Sequence, residues 1–221
     1  MNIPACSLLK TSGLTRLQGA GKGVIPDISM TGADSLQLSG DAELLKLVKK
    51  VLGRDLDVMK LNKVIDVEHS LPNPAYNGTV NIVNENIRMG SLDSEIKNIM
   101  KDIDNIMQSG KRTEADAIAY RGEAYSERSK QLAKILNLKS GDKYTDNTYR
   151  YITGNSQYAD NFAGNRDVTV RFNYFLPKGS LCIGTCEESC ALLPKETFSE
   201  ILSVDKSNPK SIIVNAILRT P

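Results

Sequence analysis

The apolar residues of this 221-residue chain change their spacing part-way along, and that change limits the fold more than any single motif does. Early on they recur three or four residues apart: Leu44, Leu45, Val48, Val51 and Leu52, then Leu92, Ile96, Ile99, Ile103 and Ile106. That is the period of a helix buried along one stripe. In VTVRFNYFL, residues 168 to 176, Val168, Val170, Phe172 and Tyr174 instead alternate with Thr169, Arg171 and Asn173, the period of a strand. Helices gathered in the first half and strands in the second leave no βαβ alternation from which to wind a parallel sheet. The expected class is α+β, with N-terminal helices set against two small packed antiparallel sheets.

Local punctuation places the elements. Ser39 and Asp41 are available to cap the first helix and Gly53 to stop it; Ser91 opens the second, which closes at Gly110. Between them, LPNPAYNGTVNIVNENIRMG mixes Pro, Asn and Gly with a short alternation, and reads either as a loop with a weak strand or as a short helix. AIAYRGEAY is an apolar run ending in an arginine, and SERSKQLAKILNL brings Leu132, Ile135 and Leu136 onto one helical face. After Pro177 and Gly179, the runs SLCIG, CALLP, FSEILSV and SIIVNAIL follow as short strands between turns. Residues 1 to 38 are rich in Ser, Thr and Gly without a sustained period and are read as a flexible front segment, with the folded domain spanning 39 to 221.

Several classes of function are disfavoured. The 28 basic and 26 acidic residues are interspersed, so no electrostatic footprint for nucleic acid is present. No apolar run approaches the roughly 20 residues that cross a bilayer, and the N-terminus lacks a basic stretch followed by an apolar one. Neither a membrane nor a conventional secretion signal is expected. Of four cysteines, Cys182, Cys186 and Cys190 crowd together, with Cys6 far away; a chain of this size does not need disulfide staples, and free thiols in a reducing compartment are expected. The Cys182, Cys186, Cys190 spacing lacks the paired motif of structural zinc, and the one histidine, His69, is distant. His69 has no nucleophile motif around it, and GAGKG at 19 to 23 lacks the rest of a phosphate loop. No metal site is expected.

Three stretches carry chemistry. In YRGEAY, Arg121 at the end of a buried run needs either an acidic partner or a cleft, and Gly122 beside it would let a ligand come close to the backbone. In YITGNSQYADNF, hydroxyls and a Gly-Asn turn precede Tyr158, Ala159 and Phe162 at helical spacing. In CEESCALLP, two acids stand side by side just before an apolar strand.

Taken in order, over roughly residues 91 to 218, these elements resemble the mono-ADP-ribosyltransferase family of bacterial toxins and effectors. In that family an arginine after an aromatic, a Ser-Thr-Ser strand and a Glu-x-Glu loop line an NAD cleft between two small sheets. The resemblance implies that Arg121, Tyr120 and Gly122 belong to the NAD site. The Ser-Thr-Ser slot falls on Tyr151, Ile152 and Thr153 or on Thr153, Gly154 and Asn155, and Thr153 is common to both. Counting back from LLP puts Glu188 in the first acidic slot and Cys190 in that of the catalytic glutamate. Either Glu188, with Glu187 in reserve, is the catalytic carboxylate, or the chain is catalytically silent and keeps the fold as a host-protein-binding module. The cofactor implied is NAD, used as substrate. The implied activity is transfer of ADP-ribose to a side chain of a host protein, with threonine, and ubiquitin, as the candidate acceptor. The implied setting is a monomeric type III effector secreted by a bacterium into the host cytoplasm, to which the flexible front segment is suited as an export signal.

Overall fold

A computed structural model of the chain describes residues 40–65, 74–145, 147–164, 167–185 and 190–221, all within one unit running from Gly32 to Pro221. The front segment, GAGKG, Cys6, His69, Cys186, Glu187 and Glu188 lie outside the described residues. In chain order the elements are α1 (Gly40–Leu52), β1 (Val58–Lys60), α2 (Leu61–Val64), α3 (Pro74–Met89), α4 (Ser94–Ser109), β2 (Asp116–Tyr125) and α5 (Lys130–Leu136). They continue with β3 (Lys143–Tyr144), β4 (Arg150–Thr153), α6 (Ser156–Ala163), β5 (Val168–Leu176), β6 (Ile183–Gly184), β7 (Cys190–Leu193), β8 (Phe198–Asn208) and β9 (Ser211–Arg219).

The helical stripes do what their spacing dictates. Leu44 and Val48 of α1 are buried against Ile118, Tyr120, Phe175 and Ile217, and Gly53 ends the helix at φ 62°, a left-handed turn that glycine takes without steric cost. Helix α4 begins at Ser94 and not at Ser91, because the Asp93 carboxylate accepts a hydrogen bond from the Ile96 amide and so supplies the cap. Within the ambiguous stretch at 71 to 90, Pro74–Met89 forms the sixteen-residue α3. Proline at its first position gives up an amide that has no helical partner anyway, and Val80 and Val83 are buried with Ile103 and Met107 of α4 against Tyr149, Ile183 and Leu192.

The α+β class holds, and the strands hydrogen-bond into one nine-stranded sheet, in the order β3-β8-β9-β5-β2-β4-β7-β6 with β1 alongside the first half of β2. Its two halves, β3-β8-β9-β5-β2 and β4-β7-β6, join through a single register pair, Tyr120 with Thr153. One core serves both: Ala117, Ala119, Phe172, Tyr174 and Val214 from the larger half, and Ile152, Ala191 and Leu193 from the smaller. The expected all-antiparallel pairing is corrected at two places, where β5 runs parallel to β9 and β1 parallel to β2. A parallel pair needs a long crossover. Here β6, β7 and β8 provide it between β5 and β9, a route that βαβ periodicity could not announce.

The start of β2 is pinned by charge. The Asp116 side chain is 1% exposed and accepts hydrogen bonds from both ends of the Arg54 fork, each 2.7 Å, and from the Lys178 amide at 2.9 Å. Burial pushes its carboxyl up, but the Arg54 bonds and the backbone amides outweigh burial and hold it below the usual aspartate value. A carboxyl whose folded pKa is depressed contributes stability above its unfolded value of about 3.9, and that contribution is lost as pH falls through the folded value. Asp116→Asn is therefore expected to lower stability by about 1–2 kcal/mol at pH 7. In urea titrations the gap between variant and parent should begin to narrow as pH falls below about 3.9 and close once pH has passed the lower folded value.

Candidate functional site

Strand β2 puts alternate side chains on opposite faces. Ala117 and Ala119 enter the shared core, and the next residues on that face are Arg121, Glu123 and Tyr125. The buried run ends here: the Arg121 and Glu123 side chains are each 15% exposed. Arg121 donates from Nε to Glu123 Oε1 at 2.5 Å and from Nη1 to the Tyr151 carbonyl of β4 at 3.0 Å. The other Glu123 oxygen accepts from the Tyr125 hydroxyl. Burial, and then the Glu123 charge, push the Tyr125 phenol well above its ordinary value. Deeper in the same core, Arg150 is 1% exposed and donates to Ser199 Oγ at 3.0 Å and to the Thr197 carbonyl, near the buried Tyr174. The bland reading of Arg121, a salt bridge, is thus realised, with an acid two residues along its own strand.

Tyr120, Gly122 and Thr153 lie on the opposite face. The Tyr120 hydroxyl donates to Asp41 of α1 at 2.5 Å, and burial followed by that acid raises its phenol. Gly122 does give close access to backbone, but what comes close is a helix. A Cβ built on Gly122 would stand 1.8 Å from the Ala159 carbonyl oxygen of α6, so this face of the glycine takes α6 and not a ligand. The Thr153 hydroxyl is buried and accepts from the Asn155 amide at 3.2 Å; Asn155 in turn caps α6, accepting from the Tyr158 amide at 3.1 Å. The sheet therefore separates Arg121 from the other three residues assigned with it, while adjacency along β2 and across to β4 keeps all four at one level.

That level continues across the smaller half. Thr153 is the register partner of Cys190, and the Thr185 amide donates to the Cys190 carbonyl at 3.0 Å, so β6 and β7 bring the ends of the 186–189 segment to the strand that pairs with β2. Cys190 is the first residue of β7 and half-buried, and Cys182 is buried. Among the described residues no cluster of His, Cys, Asp and Glu could hold a metal ion, and no helix is long and apolar enough to cross a membrane. Glu123 and Tyr125 were readable from the sequence: in YRGEAY they stand two and four residues beyond Arg121, hence on its face of a strand.

No family model matches the sequence, and no curated protein matches it either. Solved structures do match. Vis toxin, an ADP-ribosyltransferase from Vibrio splendidus, is similar over 87% of this chain and 89% of its own, at 12% identity and a TM-score of 0.52. Vis in complex with the M6 inhibitor gives 0.54 at 12% identity, over 82% and 86%. Plx2a, an ADP-ribosyltransferase toxin from Paenibacillus larvae, gives 0.52 at 16% identity, over 81% and 97%. The fold is that of the ADP-ribosyltransferases. Within this ADP-ribosyltransferase fold, the aromatic-arginine pair falls on β2, Thr153 ends the neighbouring strand β4, and the acidic CEES segment joins β6 to β7.

The Gly122 contact yields a direct test. Gly122→Ala pushes a methyl group into the backbone of α6, which has no side chain to swing aside, and is expected to destabilise the protein by about 3 kcal/mol or more, measured by urea unfolding.

Proposed function

We propose that this chain transfers ADP-ribose from NAD to a side chain of a host protein, as a secreted bacterial effector acting in the host cytoplasm. The observation that carries the reading is Arg121: within an ADP-ribosyltransferase fold, a partly exposed guanidinium on β2 already holds an anionic group, the Glu123 carboxylate. Carboxylate and phosphate are recognised by the same planar fork, so the residue present fits the pyrophosphate of NAD. Thr153, which the resemblance also assigns to the NAD site, pairs with Tyr120 on the opposite face of the sheet, so the reading rests on Arg121 and not on the threonine hydroxyl.

Breaking the bond from nicotinamide to ribose sends the bonding electrons out with nicotinamide and leaves positive charge on the sugar. A carboxylate beneath the sugar, bonded to a ribose hydroxyl, stabilises that transition state more than the ground state. Glu188 takes this role in our reading and Glu187 is its reserve; both are within three residues of Thr185 and Cys190, the described ends of the segment. The favoured acceptor is a threonine hydroxyl, with ubiquitin as the candidate target, and the second acid would accept the proton that the hydroxyl loses. The support for this acceptor is the resemblance of the eroded motifs alone.

A second reading has its own observation. Cys190 is the register partner of Thr153, so the residue paired with the hydroxyl strand is a thiol and not a glutamate. A thiol near its ordinary pKa of about 8.5 is mostly neutral at pH 7 and cannot replace a carboxylate. On this reading the chain is a catalytically silent host-protein-binding module.

Labelled NAD incubated with host lysate separates the two. An enzyme transfers label to a protein band, and Glu188→Ala and Arg121→Ala each reduce transfer by about a hundredfold or more, with Arg121→Lys also impaired. Absence of label together with retained capture of a host protein supports the module, and full activity in Glu188→Ala removes that residue from the chemistry.

A further inference from the structure

We propose that Glu123 is a built-in competitor for Arg121: its carboxylate occupies the guanidinium that the anionic part of the substrate must take over. This rests on the reading that Arg121 receives the pyrophosphate of NAD. The geometry is that of one anion seated where another must come. Arg121 Nε donates to Glu123 Oε1 at 2.5 Å while Nη1 is committed to the Tyr151 carbonyl, and both charged side chains are largely shielded from water.

The surroundings make the contact strong without making it permanent. On the same face of the neighbouring strand, the residues paired with Arg121, Glu123 and Tyr125 are Phe172, Val170 and Val168, so the ion pair lies against an apolar wall where charge interactions are strengthened. Tyr125 holds the far oxygen of Glu123, which gives the carboxylate a donor of its own when Arg121 turns towards a phosphate. The exchange swaps one guanidinium–anion bond for another and breaks no covalent bond. The displaced carboxylate remains on the same strand face as the arriving phosphates, and like-charge repulsion then opposes substrate binding. Glu123 thereby sets the affinity of the site as a positioning residue, and Arg121 is kept ordered before substrate arrives.

A bracing role and a competing role predict opposite signs. Calorimetric titration of the full chain with ADP-ribose, and separately with nicotinamide, is made on the parent and on Glu123→Gln, whose amide oxygen still accepts from Tyr125. Competition predicts that Glu123→Gln binds ADP-ribose about tenfold more tightly, the size expected for one nearby, partly screened like charge, with nicotinamide affinity unchanged. Equal or weaker ADP-ribose binding by Glu123→Gln, with binding by the parent intact, overturns the competitor and leaves the NAD site standing. If neither protein binds ADP-ribose or nicotinamide, both are overturned. A measurement on the parent keeps the test independent of how the variant folds. The Arg121 Nε–H resonance, assigned with Arg121→Lys, should move on saturation with ADP-ribose as its acceptor changes, and an unmoved resonance at saturation overturns the proposal.

Discussion

The close approach of α6 to Gly122 is the constraint on which the rest of the fold turns. The two halves of the sheet share one register pair, which is too little by itself to fix their relative angle. Helix α6 leaves the end of β4 through the Thr153–Asn155 turn and lies against β2, with Ser156, Ala159 and Ala163 as its buried face. Small residues on the helix and no side chain on the strand bring the two backbones together, so the helix clamps the seam that the strands only touch. Arg121 is the next residue to that contact on the other side of the sheet. Its reach to the Tyr151 carbonyl of β4 is set by how closely α6 holds β4 to β2.

Charge on β2 is distributed by the same logic. Asp116 at one end is buried but receives the Arg54 fork and a backbone amide, so the lone pairs that burial takes from water are repaid by donors. Ala117, Ile118 and Ala119 fill the middle, and charge resumes at Arg121 and Glu123 where solvent is again within reach. The buried Arg150 on the adjacent strand adds a second guanidinium to the same core. An isolated ion in such a place would be driven to neutrality. The arrangement persists because Arg121 is met by Glu123 and the Tyr151 carbonyl, and Arg150 by Ser199 Oγ and the Thr197 carbonyl.

What the sequence disclosed follows from how local each signal is. Helices α1 and α4 and strand β5 carried their period within nine to sixteen residues, and burial falls on Leu44, Val48, Ile96, Ile103, Val168, Val170, Phe172 and Tyr174 of those positions, while Val51 at the end of α1 is exposed. Helix α3 was ambiguous because Asn and Gly favour turns in isolation; only the contact of Val80 and Val83 with α4 and Tyr149, together with the Asn84 side chain bonded to both backbone groups of Tyr149, decides for helix. Parallel pairing of β5 with β9 is decided by residues far apart in the chain and leaves no local trace. Arg121 stood out as a charge at the end of an apolar run. That Gly122 faces a helix, on the other side of the sheet from Arg121, depends on α6 some forty residues later, which a motif cannot encode.

Packing on both faces fixes β7, the strand that follows the acids of CEESCALLP. Along β7, Ala191 and Leu193 point into the shared core and Leu192 into the cluster under α3 and α4, all three fully buried. A slip of one residue would exchange these two sets, placing Leu192 in the space of alanine and leucine and turning Ala191 and Leu193 away from the core. The pairings of Thr153 with Cys190, Ile152 with Ala191 and Arg150 with Leu193 are therefore held by packing on both faces. On the other side, β6 is tied to β7 through Gly184 with Ala191 and the Thr185 amide on the Cys190 carbonyl. The register of β7 at Cys190 is thus fixed by packing. In the proposed reading the carboxylate comes from residues 186–189, between Thr185 and Cys190.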